Sequence, residues 1–458
     1  MQKRNGSLRS GLKADQARGR VAVEYRAIAE LKFDPCNARI HTPAQIRQIA
    51  QSIETFDFNV PVLVDSELKV IAGHGRILAC QRLGWTEVPT IRLDHLTEAQ
   101  ARAFMIADNR LTDISVWDDR LLAEQLKELS VLDLDFSLEI TGFSMGEIDL
   151  RIESLTATRD GDDDPADALP TGKSGPAVSR PGDLWQLGRH RVYCGNALEA
   201  AAYEALMQGE RAAMVFTDPP YNVPIEGNVS GLGAIHHREF AMASGKMSKA
   251  EFTGFLAGVF NLLARYSMPG SVHFICMDWR HLGEMLTAGS SAYTELKNLC
   301  VWAKDSAGMG ALYRSAHELV FVFKNGKEPH RNNILLGRFG RDRTNVWKYA
   351  GAAALRRSDE GNLLVLCATP KPVAMVADAI MDVSARGDVV LDSFLGSGTT
   401  VIGAERTGRR CYGIELDPLY ADTAVRRWQA WTRDRARHAV SGLAFDEISA
   451  ERGEHRAD

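Results

Sequence analysis

Cysteine is sparse in this chain of 458 residues: seven, with no Cys-x-x-Cys pair and no histidines at zinc-ligand spacing, so neither a disulfide framework nor a metal site is expected. No apolar run approaches the length of a membrane span. The first residues are polar and basic and lack the hydrophobic stretch of a secretory signal, so the expected location is cytoplasmic, with no membrane partner. A large charge excess is also missing. The formal net charge is −5, so any polyanion-binding surface must be local and not a property of the whole chain. With 45% hydrophobic residues, the length predicts two or more domains with ample cores.

Two segments far apart in the chain carry chemistry. Ala212-Ala213-Met214-Val215-Phe216-Thr217 reads as a buried parallel strand and runs into Asp218-Pro219-Pro220-Tyr221. Open α/β sheets bind ligands at such carboxyl ends. The proline pair fixes the local backbone, so carbonyls that a helix would have consumed stay aimed outward. The Asp218 carboxylate and a proline carbonyl can accept the two N–H bonds of an amino group, and Tyr221 offers a flat face to a ring. As plain structure, the tetrapeptide is an ordinary turn.

The second segment is Asp392-Ser393-Phe394-Leu395-Gly396-Ser397-Gly398-Thr399-Thr400, which follows the strand Val389-Val390-Leu391 and opens a helix near Thr399. Its glycines let backbone pass close to a ligand. The next strand, Arg410–Glu415, ends in a carboxylate about 20 residues on, the spacing of a ribose-binding acid in a nucleotide-binding βαβ unit. The loop has no Gly-Lys-Ser/Thr ending, which argues against an ATPase, and it departs from the dehydrogenase glycine pattern.

With these residues in place, the region 181–435 resembles an amino-group DNA methyltransferase of the β arrangement, in which the catalytic tetrapeptide precedes the cofactor loop. The resemblance implies an α/β fold, a circularly permuted Rossmann-like domain, with S-adenosylmethionine as methyl donor. Asp218, Pro219, Pro220 and Tyr221 are then the catalytic residues, and Asp392, Phe394, Gly396, Ser397, Gly398, Thr399 and Glu415 bind the donor. Lys371 joins the donor set because Thr369-Pro370-Lys371-Pro372 is similar to a family segment that encloses it, although Cys367 and Ala368 replace the usual His-Pro. Asp at the first tetrapeptide position favours adenine N6 over cytosine N4, which stays open. Methylation at cytosine C5 needs a thiolate, and the sole Pro-Cys, Pro35-Cys36, lies outside this half.

Between Arg331 and Lys348 five basic residues face one acid. This stretch falls within the target-recognition segment that the resemblance puts near 325–350. Arg331, Arg338, Arg341, Arg343 and Asn345 are the expected contacts to double-stranded DNA, with Asn332 and Asn333 interspersed; otherwise it is a solvated basic loop. The glycine-rich stretch Asn222–Met247 is a candidate lid or a fixed surface excursion.

Upstream, residues 156–180 turn rich in Asp, Gly, Pro and Ser without apolar period and read as a flexible acidic linker. Residues 113–155 read as a helical extension. Before them, the strands Val60–Val64 and Lys69–Ala72 lead into Gly73-His74-Gly75-Arg76, which opens a helix. Such a turn can bind an anion on its amides with Arg76 as a fork, or be a tight turn with a surface arginine. Residues 24–112 resemble the N-terminal domain of ParB-type partition proteins, which implies nucleotide phosphates, CTP among them, at this turn. No helix-turn-helix is evident over Leu96–Leu132. A homodimer is a further expectation, and the rival to an enzyme is a non-catalytic ParB-like DNA-binding or partition protein.

Overall fold

The structure, a computed structural model, describes residues 22–155, 164–168, 176–223, 245–305, 307, 312–334, 343–350 and 371–454. It divides into two compact units. The first runs to Leu122 and takes in Asp133–Phe143; the second comprises Ala123–Leu132 and the chain from Ser144 onward.

In the first unit, β1 (Val23–Ala27), β2 (Val62–Val64), β3 (Val70–Ala72) and β4 (Glu87–Arg92) form a mixed sheet in the order β1-β4-β2-β3. Thr42 caps the helix Pro43–Phe56 by accepting from the Gln45 amide. Ala50 and Ile53 of that helix are buried and join Val62, Val64, Val70 and Ile77 in one small core. Gly73 is left-handed, with φ 105°, and sits at the N-cap of the helix His74–Arg82, while a side chain on Gly75 would meet the His41 ring at 3.0 Å. Both glycines are thus dictated by backbone geometry and close approach.

The second unit is built on a ten-stranded sheet. Its strands are β5 (Leu184–Leu187), β6 (His190–Cys194), β7 (Ala212–Thr217), β8 (Ser267–Met277), β9 (Glu295–Ala303), β10 (His317–Lys324), β11 (Val346–Lys348), β12 (Val389–Asp392), β13 (Arg410–Glu415) and β14 (Arg437–His438). They lie in the order β11-β9-β10-β8-β7-β12-β13-β6-β5-β14. The central strands β8, β7, β12, β13 and β6 are parallel, and β10 is antiparallel to β8 and β9. Side chains alternate faces: Met214 and Phe216 enter one apolar cluster and Val215 the other, while Ala212, beyond a register shift, joins Val215. The helix Lys249–Arg265 covers the second face with Phe252, Phe255, Leu256, Val259, Phe260 and Leu263, a three-four spacing that yields a single buried stripe. Its start is fixed by a capping box between Ser248 and Glu251. The helices Val373–Val383, Thr399–Thr407 and Pro418–Thr432 contribute buried side chains to the first cluster.

The connection from β12 leads to β13 on one side, and that from β7 leads to β8 on the other. The order therefore reverses between β7 and β12, the switch point at which a doubly wound sheet opens a crevice at its carboxyl edge. Because β7 precedes β12 in the chain, this is a permuted Rossmann-like sheet.

Two organisational expectations change. At its described residues, 156–180 is not a free linker. Asp167 accepts from the Val373 amide at 2.7 Å, the Arg427 guanidinium donates to Ala166 O at 2.9 Å, and Asp422 accepts from the Val178 and Ser179 amides at 2.7 and 2.8 Å. Acid residues that look like solvated linker are hydrogen-bond acceptors for buried backbone. Likewise, the end of the expected helical extension belongs to the second unit. The helix Met145–Ser154 inserts Asp149, fully buried, between Arg409 (3.0 and 2.8 Å) and Arg386 (3.0 Å). Among the described residues, no helix is long and apolar enough to cross a membrane.

Candidate active site

Thr217, the last residue of β7, donates its hydroxyl to Asp392 Oδ1 at 2.8 Å, and Thr400 donates to Asp392 Oδ2 at 2.7 Å. This bond joins the ends of β7 and β12, so the tetrapeptide and the glycine bend start from adjacent points on one sheet edge. Asp392 is buried, and its carboxyl is pushed up to about 6 by that burial, against the hydrogen bonds it accepts. It ties the two loops together, and both of its oxygens are committed to that task.

The acceptor side is a compact ionic cluster. Asp218 Oδ1 accepts from the Tyr221 hydroxyl at 2.6 Å, and Oδ2 lies 2.5 Å from Lys371 Nζ. The same ammonium is 3.2 Å from Glu318 Oε2, and Lys304 Nζ reaches Glu318 Oε1 at 2.5 Å. The Tyr221 hydroxyl is also 3.0 Å from Glu318 Oε2, and its single proton serves one carboxylate at a time. Burial pushes the Asp218 carboxyl up, and Lys371 opposes that. Burial acts on Glu318 too, but Lys371 and Lys304 together outweigh it and hold that carboxyl down at about 2. The Lys371 ammonium, although desolvated, is raised by its two acids and stays charged. Each Asp218 oxygen retains a second lone pair, and its side chain is about a quarter exposed (24%), so it can still accept from an incoming amino group.

Lys371 has partners on this side that its sequence context does not show. Expected to enclose the donor, it is bound to Asp218 and Glu318 and lies 5.6 Å from the Tyr221 ring centroid. Glu318 and Lys304 are not among the candidates read from the sequence. One signal was present: Glu318 is an acid at the start of an otherwise apolar strand.

On the other side, Gly396 has φ 55°, and a side chain there would meet nothing within 4 Å. Its amide donates to Glu415 Oε2 at 2.7 Å, and the Asp417 amide donates to Oε1 at 2.8 Å. Burial pushes the Glu415 carboxyl up to about 7. Open space beside Gly396 and a carboxylate with lone pairs to spare suit a ligand that brings hydroxyl donors, as the ribose of S-adenosylmethionine would. Gly398 has a different reason: at φ 83°, a side chain would strike Ala424 Cβ at 2.8 Å. Ser397 and Thr399 are buried against Arg427, whose Nη1 is 3.3 Å from Ser397 O and 3.1 Å from Thr399 Oγ1, so their side chains serve packing. Phe394 lies 6.0 Å from Phe255, ring to ring.

The expected DNA contacts divide. Arg343 is half-buried and ion-paired with Asp378 at 2.5 Å and Asp382 at 3.0 Å. Asn333 is buried, donating to Met381 O at 2.6 Å and Ser384 O at 2.8 Å. Asn345 stays exposed while its carbonyl accepts from Val301, and Arg331 is exposed. Arg338 and Arg341 lie outside the described residues, as do 224–244 of the candidate lid. Asn222, however, closes the ends of that excursion, donating to Met247 O at 2.8 Å and accepting from the Met247 and Gly245 amides.

In the first unit, Arg76 Nη2 reaches Pro61 O at 3.4 Å, while Arg76 Nε and His74 Nε2 are buried with no hydrogen-bond partner among the described residues.

A family model described as DNA methylase matches residues 212–426, and one described as the ParB N-terminal domain matches 13–110. A third, the ParB-methyltransferase HTH domain, matches 120–181, so a helix-turn-helix type of domain belongs where sequence reading found helices without that motif. The ParB-like nuclease domain-containing protein YnaK of Escherichia coli (strain K12) is 40% identical over 81 residues, 18% of this chain and 93% of that protein. The Type II methyltransferase M1.MboII of Moraxella bovis is 31% identical over 105 residues, 22% of this chain but only 38% of that protein. The Type II methyltransferase M2.DpnII of Streptococcus pneumoniae is 24% identical over 245 residues, 49% of this chain and 85% of that protein.

Proposed function

Because this chain belongs to the N6/N4 DNA methylase family and carries a ParB N-terminal domain, we propose that it methylates the N6 amino group of adenine in double-stranded DNA, with S-adenosylmethionine as donor. The observation that carries this reading is the Thr217–Asp392 hydrogen bond of 2.8 Å, which makes the amino-binding tetrapeptide and the glycine bend neighbours on one crevice. Adenine is preferred to cytosine because the tetrapeptide opens with Asp.

Asp218 and a proline carbonyl accept the two amino hydrogens, drawing the nitrogen lone pair out of conjugation with the ring. Lys371 and Tyr221 hold the Asp218 carboxylate in one orientation. The Tyr221 ring provides the stacking face for a base turned out of the helix, an extrusion costing a few kcal/mol. Gly396 and Glu415 hold the donor. When bound, it supplies a methyl group on a cationic sulfur, already a good leaving group, so positioning is the protein's main contribution. One amino proton is released to solvent after the C–N bond forms.

Two measurements test the proposal. Incubating unmethylated plasmid with labelled donor, digesting it to nucleosides and weighing the modified one should give N6-methyldeoxyadenosine; N4-methyldeoxycytidine would move the specificity, and no label would end the reading. Asp218→Ala should abolish transfer while donor binding by calorimetry stays within a few-fold of wild type. A subordinate reading, favoured by the unpartnered His74 Nε2 and Arg76 Nε, is that a nucleotide phosphate, as of CTP, binds the Gly73–Arg76 turn; calorimetry with CTP showing no heat would dismiss it.

A further inference from the structure

One surface feature of the second unit is unused by this mechanism. The turn between β9 and β10 carries Leu312 and Tyr313 at 87% and 84% exposure, and Tyr313 is the most exposed aromatic among the described residues. A single exposed apolar side chain is ordinary. Two adjacent ones on the connection between β9 and β10 forgo burial together, and their position decides what can cover them.

That position is defined by the acceptor cluster. β9 and β10 pair up to Ala303 and His317, and the Lys304 amide extends the ladder by donating to Ala316 O at 2.8 Å. Lys304 and Glu318, the side chains flanking this closure, are ion-paired at 2.5 Å and belong to the Asp218 network. Tyr313 precedes Ala316 by three residues, so even a fully extended chain keeps its Cα within about 11 Å of the closure. Arg314, which follows it, braces the turn by donating to Ala307 O at 2.5 Å. The pair is thus apolar and aromatic with Arg314 beside it, on the connection that closes against the acceptor cluster through Lys304 and Glu318. Proteins that open a DNA base stack use this composition: an apolar wedge between bases and basic groups toward phosphates.

We propose that Leu312 and Tyr313 form a wedge that enters the base stack of duplex DNA and occupies the space left by the nucleotide turned out toward Asp218. This rests on the methyltransferase reading above. The partner is a stacked duplex, because an aromatic face and a branched apolar side chain match base faces, and the neighbouring Arg314 matches its negative charge.

The test uses the full chain and a duplex carrying the sequence that the wild-type protein modifies, located beforehand by sequencing its product. One form has 2-aminopurine at the target, and another has an abasic residue opposite the target. The double variant Leu312→Ala/Tyr313→Ala should transfer methyl to the ordinary duplex roughly tenfold to a hundredfold more slowly, the range of a lost base–aromatic stack. Its 2-aminopurine fluorescence should rise far less than that of wild type. On the abasic duplex, where no pair has to be broken, it should recover most of the wild-type rate, and Tyr313→Trp should resemble wild type throughout. Wild-type rates and fluorescence in the double variant would overturn the wedge, as would an equal deficit on both duplexes. A change from dimer to monomer with unaltered fluorescence would overturn it too, assigning the pair to a second copy of the chain. Failure of the wild-type protein to label any DNA would instead remove the underlying reading, and the wedge with it.

Discussion

Glu415 offers the sharpest test, because stability and donor binding should respond to its charge in opposite directions. Its carboxyl is buried and displaced from 4.5 to about 7. At about 1.4 kcal/mol per tenfold change in proton affinity, the ionised form costs the folded protein about 3 kcal/mol. The sign follows from linkage. A raised value in the folded state means that the favourable contribution is complete below pH 4.5 and lost as pH rises through about 7. Glu415→Gln removes this dependence. The amide forfeits one acceptor for the Gly396 or Asp417 backbone N–H, a cost that does not vary with pH. Between about pH 5 and about pH 8.5, the stability of the variant relative to wild type, measured by urea unfolding, should improve by about 3 kcal/mol. Donor binding should run the other way. Ribose hydroxyls donate best to a carboxylate, so the wild-type affinity for S-adenosylmethionine should strengthen as pH passes about 7. The variant should bind roughly tenfold to a hundredfold more weakly, from the loss of charge-assisted hydrogen bonds, with a flatter profile. A stability difference that does not change with pH, or unaltered donor affinity in the variant, would refute the reasoning.

The two glycines of the bend should separate folding from binding. Gly396→Ala places its methyl in open space at φ 55°, so unfolding should register only about 1 kcal/mol of left-handed strain while calorimetry shows donor affinity falling. Gly398→Ala drives its methyl to 2.8 Å from Ala424 and should cost roughly 1–3 kcal/mol for the overpacking in addition to the strain; a reversed order would contradict the assignment of the cradle. Arg343→Ala removes the guanidinium that bridges Asp378 and Asp382 and should destabilise by roughly 1.5–3 kcal/mol without changing the salt dependence of DNA binding. Retained stability with a shallower salt slope would assign Arg343 to the DNA surface.

How far the chain could be read in advance depended on how local each signal is. The turns at Asp218–Tyr221 and Gly396–Gly398 are legible because each lies at the end of one strand, and Glu415 because it closes the next; period-two burial and backbone-restricted residues leave a short-range pattern there. The partners of the Arg331–Lys348 segment were not legible for the opposite reason. Charge along a sequence says nothing of which guanidinium meets a carboxylate from a distant helix, and Arg343 meets two. Lys371 and Glu318 had no local signature for their roles either, being 53 residues apart in the chain yet joined at 3.2 Å.

By itself, then, the amino-acid order determined the strands, the two chemical turns and the glycine positions, since backbone sterics and alternating burial act over a few residues. The three-dimensional packing alone decided that β7 and β12 are neighbours, that Lys371 is ion-paired with Asp218, and that a lone acid on β10 completes the cluster. Those outcomes depend on strand order across a sheet and on which charges must find partners once water is excluded, and neither is encoded at short range.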